Sequence, residues 1–230
     1  MKIKASRSFF IFCLLASSLP AQDTTISLRT MQLGGAKMPS LYVKTVDAKE
    51  PVILTWLTTQ PTEPVQVVHD GSLKLYKQVT DPEGKLGFEI ASSVKLPGAE
   101  KEVLLLAWES EGKIKYIAIK DQFLNANFND WMAINTSVNP VAILAGDSGK
   151  PVRVDAGASI IFQPNIEEGK GVKILAQASR EGEVKTFLSS YWPAYEGQRT
   201  LIIFYDDGDK MRAKRIGDRF LKKLEEPETE

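Results

Sequence analysis

Val103 to Leu124 and Thr200 to Leu221 are two diverged copies of one segment, aligned without a gap at a constant offset of 97 residues. Leu104/Leu201, Lys113/Lys210, Ile119/Ile216, Asp121/Asp218, Phe123/Phe220 and Leu124/Leu221 are identical pairs, and Trp108 stands opposite Tyr205. An internal repeat of this length restricts the chain to architectures that set two copies of one unit side by side. It also sorts residues. Positions kept in both copies belong to the scaffold, and positions peculiar to one copy are the candidates for function.

With small gaps the repeat extends upstream. Pro51 to Leu54 resembles Pro140 to Leu144, Pro64 to Val67 resembles Pro151 to Val154 at an offset of 87, and Tyr42 falls opposite Trp131. The copies are thus expected at 41–124 and 130–221, preceded by an N-terminal extension or strand at 22–40 and followed by a charged tail at 222–230. The offset grows from 87 to 97, which places ten extra residues of the second copy near Asn165 to Glu183.

The texture of both copies is β. Short runs such as SLYVKTV, SLKLYKQV, EVLLLAWES, WMAINTSV, VKILAQAS and TLIIFYDD recur, punctuated by Asp70-Gly71, Glu83-Gly84, Glu111-Gly112, Glu168-Gly169 and Asp207-Gly208. Many short strands at regular spacing predict a sandwich or barrel. The expected fold is all-β: two tandem, internally homologous β-sandwich-like repeats with a short C-terminal helix. That helix is expected over Ile216 to Glu225, because Ile216, Phe220, Leu221 and Leu224 recur at helical spacing.

The first residues read as an address. Lys2, Lys4 and Arg7 precede the apolar run Phe9 to Ala16, and Leu19-Pro20-Ala21 offers a small-residue cleavage site. Residues 1–21 are therefore read as a secretory signal peptide, too short for a membrane span, and the mature chain as periplasmic or extracellular. Its removal takes away Cys13, the only cysteine, and leaves a net charge of about −3. Such a chain has no disulfide, thiol nucleophile or thiolate metal site. Its stability has to come from its core.

Catalysis finds little support. His69, beside Asp70 and Ser72, is the only histidine, so neither a second base nor a histidine ligand set is available. No Gly-rich phosphate loop follows a strand. The acidic turn Asp206 to Lys210 lacks the ligand ladder of a calcium loop, and Asp-Gly between apolar runs is a hairpin signal. The basic run from Lys210 to Lys223 reads as a solvated face, since export argues against a nucleic-acid partner and Glu225 to Glu230 balances it. No catalytic residue, metal or cofactor is assigned.

The aromatic residues carry the positive indication. Tyr191, Trp192 and Tyr195 lie in SSYWPAYEG, whose counterpart in the first copy, SSVKLPGAE, has no aromatic group. Rings presented in this way can contact a sugar, a peptide or a partner surface. Trp56, set against Ala145, is read as core, and Asn135-Thr-Ser137 matches a glycosylation acceptor. The expected function is an exported, non-catalytic binding or structural protein of the cell envelope, recognising a glycan or protein partner through Tyr191, Trp192 and Tyr195. The alternative is an accessory subunit of an envelope protein assembly. A carboxylate-based hydrolase is the third reading.

Overall fold

The computed structural model describes residues 24–122, 130–146, 150–164, 170–180, 182–193 and 198–219. The predicted signal peptide, Tyr195 and the tail lie outside them. The N-terminal half contributes β1 (Thr24–Leu33), β2 (Tyr42–Val43), β3 (Val52–Ile53), β4 (Val65–His69), β5 (Ser72–Thr80), β6 (Leu86–Lys95), β7 (Glu102–Ser110) and β8 (Lys113–Lys120). The C-terminal half contributes β9 (Asp130–Asn135), β10 (Val141–Ala145), β11 (Val152–Val154), β12 (Ser159–Phe162), β13 (Gly171–Arg180), β14 (Glu183–Pro193), β15 (Gln198–Asp207) and β16 (Lys210–Arg219). The described chain is all-β, with no helix.

The sixteen strands form four four-stranded sheets, ordered β4-β1-β7-β8, β3-β2-β5-β6, β12-β9-β15-β16 and β11-β10-β13-β14. Adding eight to each strand number of the first two orders gives the last two. In both halves a parallel pair sits at the centre of a sheet: β1 with β7, and β9 with β15. The ladders make Leu28 the counterpart of Trp131, because these residues lie beside Val103 and Thr200, themselves 97 apart.

This register revises the gapped upstream alignment. Tyr42 lies on β2 and Trp131 on β9, which are not corresponding strands, and Pro64 to Val67 and Pro151 to Val154 likewise fall on strands of different rank. The alignment slipped by one strand because short Pro-Val runs begin several strands alike. The ten extra residues expected of the second copy go with that slip: Leu28 and Trp131 lie 103 positions apart and Val103 and Thr200 only 97, so the second half is the shorter overall and is longer chiefly at 163–170, between β12 and β13. The first half is longer at 54–64, between β3 and β4.

Three apolar clusters hold the sheets together. Ile26, Leu28, Val103 and Leu105 of the β1 sheet pack on Val43, Leu73, Leu75 and Val94 of the β2 sheet. Trp131, Ala133, Ile202 and Phe204 pack in the same way on Val141, Ile143, Ile174 and Ala176. A third cluster joins the halves: Met31, Leu33, Leu104, Leu106 and Ile119 meet Met132, Ile134, Leu201, Ile203 and Ile216. The β1 and β9 sheets are therefore covered on both faces, which is why their strands read as unbroken apolar runs. The outer sheets are covered on one face only and alternate.

The C-terminal helix expected over Ile216 to Glu225 is corrected at its start. Ile216 to Arg219 belong to β16, paired with β15 from Asp207–Lys210 to Gln198–Arg219. Met211 and Ala213 pack on the second core while Ile216 enters the inter-half cluster. A two-residue period thus governs Ile216 to Arg219, and the remainder of the expected helix, from Phe220 to Glu225, lies outside the described residues. The shared hairpin is as expected. In the first half, Glu111 and Gly112 both take positive φ, 55° and 71°, as a type I′ turn requires.

Candidate functional site

The structure separates the residues singled out in SSYWPAYEG. Tyr191 and Trp192 are successive residues of β14 and point to opposite faces. Trp192 turns inward to stack on Trp131, with centroids 6.1 Å apart and planes 25° apart. The guanidinium of Arg215 covers it at 5.8 Å and donates to the Pro193 carbonyl at 2.6 Å. Counted from the shared bulge of the hairpins, Trp192 corresponds to Leu96, one residue past β6 and a core residue of the first half. Tyr191 is 68% exposed. Its ring lies across the backbone of Gly171, where a Cβ would fall 2.2 Å from the ring.

Other sequence candidates are held by the fold. His69 accepts from the Gly71 amide through Nδ1 at 3.1 Å, which leaves the proton on Nε2 to donate to the Thr24 hydroxyl at 2.9 Å. Asn135 is buried: its Nδ2 donates to the carbonyls of Asn139 (2.8 Å) and Val154 (3.0 Å), and its Oδ1 accepts from the amide and hydroxyl of Ser137. A side chain so engaged is closed to glycan transfer in the folded protein. Asp206 accepts from the Val138 amide at 3.0 Å, so this residue of the acidic turn anchors a neighbouring loop. Trp56 packs beside Tyr116 against the first core, from the loop before β4 and not from a strand.

The shared aspartates, Asp121 and Asp218, are buried where the halves meet. Arg29 spans both of them, at 3.3 Å and 2.6 Å, and Arg199 does the same at 2.5 Å and 2.8 Å. Burial opposes the charge of Arg29, but the hydrogen bond and charge of Asp218, then those of Asp121, outweigh it and raise its pKa. The arrangement is a four-charge clasp between the halves.

One surface was missed by the sequence reading. Ile53 pairs with Tyr42, Tyr42 with Tyr76, and Tyr76 with Ile90, forming one row across β3, β2, β5 and β6. The neighbours Val43, Leu73 and Leu75 point into the core, so the row faces outward, and Ile53 and Ile90 are 58% and 55% exposed. Phe88 packs edge-on against Tyr42 at 5.1 Å, and the Lys44 ammonium lies 5.6 Å over Tyr76. In the second half the same ladder positions hold Arg153, Ala142, Gln177 and Thr186. The correspondence is fixed by a shared β-bulge, which falls between Leu75 and Tyr76 in one half and between Ala176 and Gln177 in the other. The scaffold therefore does not need an apolar row at this place. The available signal was the phase of Tyr42 and Tyr76, aromatic residues at the outward positions of alternating strands.

Ile53 also borders a cleft of about 320 Å³ between β1, β3 and the loop before β4, with Leu28, Val43 and Leu54 at its floor and Leu57, Glu63 and Val65 at its mouth. That loop is tied down. Thr62 donates to the Thr30 carbonyl, Gln32 donates to the Leu57 carbonyl (both 2.9 Å), and Lys214 of the other half donates to the Thr58 carbonyl at 2.8 Å. The apolar row is thus continuous with a braced, partly apolar edge.

No protein-family model matches the chain, and no curated protein does. Among solved structures, a proposed cell adhesion protein from Bacteroides ovatus is 9% identical, with 86% of this chain and 99% of that chain covered and a TM-score of 0.28. A likeness so slight carries no functional argument. Among the described residues no helix is long and apolar enough to cross a membrane, and no group of three or more His, Cys, Asp or Glu side chains is placed to hold a metal.

Proposed function

We propose that the protein is an exported, non-catalytic binding protein of the cell envelope, an accessory subunit built from two tandem, homologous sandwich-like repeats. The repeats run from β1 to β8 and from β9 to β16. The N-terminal one docks a protein partner on its outward sheet face. The observation that carries this reading is the Ile53–Tyr42–Tyr76–Ile90 row, set against Arg153–Ala142–Gln177–Thr186 at the same places of the second repeat. An apolar row that the fold does not require exposes surface water disfavours, and such patches mark contact sites. Tyrosine is also enriched at interface centres.

The test is an exchange of rows. A variant carrying Ile53→Arg, Tyr42→Ala, Tyr76→Gln and Ile90→Thr receives the residues the second repeat uses in its own sheet. It should fold as the wild type does and lose a stoichiometric partner that wild-type protein retains from envelope extracts. Equal retention by both proteins would defeat the reading.

A second reading rests on Tyr191. Its exposed ring, set against Gly171 and opposite Lys173 in the ladder, is suited to stacking against a sugar ring. A glycan array probed with wild type and Tyr191→Ala tests it, and identical profiles would end it.

A further inference from the structure

The outward face of the β3–β2–β5–β6 sheet is divided by chemistry along its strands. Ile53, Tyr42, Tyr76, Phe88 and Ile90 occupy one end. At the other end the outward positions are Ser72, Lys74, Ser93 and Lys95, with Lys44 leaning over Tyr76 between the two. No carboxylate stands at an outward ladder position of these strands. Asp70, beyond the start of β5, ion-pairs with Lys74 at the rim.

We infer that this face docks a protein whose contact surface is apolar opposite Ile53, Tyr42, Tyr76 and Ile90 and acidic opposite Lys44 and Lys95. The inference rests on the binding-protein reading and adds the partner's chemistry to it. Charge complementarity selects the acidic side, because outward ladder positions that hold cations and no carboxylate favour an approaching surface of opposite sign and repel one of their own. Three other occupants fit less well. A sugar needs an open ring face, but Lys44 lies over Tyr76 and Phe88 abuts Tyr42. A bilayer needs side chains that protrude. This row lies flush in a sheet, and sinking it would carry the unpaired edges of β3 and β6 into hydrocarbon. A second copy pairing by two-fold symmetry would set the lysine end against the apolar end, or leave the lysines unanswered.

The experiment uses two fluorescent peptides, one alternating leucine with glutamate and one alternating leucine with lysine, titrated against the signal-free chain by anisotropy. The glutamate peptide should bind about tenfold tighter than the lysine peptide, and added salt should shrink the difference. Lys44→Glu with Lys95→Glu should reverse the preference. The four-residue row exchange should abolish binding of both peptides while circular dichroism and Tm stay as in the wild type. Binding that needs the row but ignores the peptide's charge overturns the acidic partner and leaves the binding-protein reading standing. Binding unaffected by the row exchange overturns both. Vesicles of phosphatidylglycerol and phosphatidylcholine, and light scattering of the protein alone, complete the test. Capture by the vesicles, or a dimer that the row exchange dissociates, would overturn the inference in favour of a lipid surface or a second copy.

Discussion

Arg29 on the first described strand and Asp218 on the last lie 189 positions apart and meet through two hydrogen bonds, of 2.6 Å and 2.9 Å. The contact crosses the junction of the halves at a place where Asp218 is almost fully buried. Asp218→Asn would leave the buried guanidinium of Arg199 and that of Arg29 with a neutral partner, and should destabilise the fold by about 3–5 kcal/mol. Urea denaturation followed by far-UV circular dichroism measures the loss. An effect below about 1 kcal/mol would mean that the apolar inter-half cluster fixes the docking without the clasp.

The pH dependence of these charges has a definite sign. The pKa of Arg29 is raised, so its contribution is complete below the unfolded value and fades only as pH rises through the folded one. Arg29 therefore gives no slope to stability in neutral or acidic solution. Asp70 behaves in the opposite sense. Its pKa is lowered, first by the hydrogen bond from Lys74, so its contribution is present above the ordinary carboxylate value and lost as pH falls below it. Carbon-detected NMR should find the Asp70 midpoint below the usual range, and Lys74→Met should move it upward.

Asn135 should behave as a structural residue even where glycosylation machinery is present. Asn135→Ala strips partners from the Ser137 amide and two carbonyls in a buried site, and should lower stability by about 2–3 kcal/mol by chemical denaturation. Mass spectrometry of protein secreted from a eukaryotic host should find Asn135 unmodified in the folded fraction.

Tyr191 and Trp192 should separate cleanly. Trp192→Ala removes the ring stacked on Trp131 and should destabilise the protein by about 2–4 kcal/mol. Tyr191→Ala, at an exposed position, should stay within about 0.5 kcal/mol of wild type. Comparable losses from both would show that the cover over Gly171 matters as much as the core stack.

Each single exchange at the two exposed ends of the apolar row, Ile53→Arg and Ile90→Thr, should shift stability by no more than about 0.5 kcal/mol. Differential scanning calorimetry of the two variants checks that the row is not a hidden part of the core.

The chain's order alone determined the β texture, the repeated hairpin and the fact of two related halves. The gapless 97-residue offset joins strands whose hydrogen-bonded partner follows at once in sequence, so the local pattern and the pairing coincide. Unbroken apolar runs such as Leu104 to Ala107 and Leu201 to Phe204 already marked the strands covered on both faces. Tertiary structure decided the rest. Whether Tyr42 answers Trp131 or Ala142 depends on which strands lie side by side, and short runs that start alike cannot carry that information. Whether Trp192 faces solvent or core depends on a one-residue phase set by the ladder to β13, as the opposite fates of Tyr191 and Trp192 show. The clasp of Arg29, Asp121, Arg199 and Asp218 and the row of Ile53, Tyr42, Tyr76 and Ile90 each gather residues from distant segments. Both depend on adjacency between strands and between sheets, which the chain acquires only when the strands pair and the sheets stack.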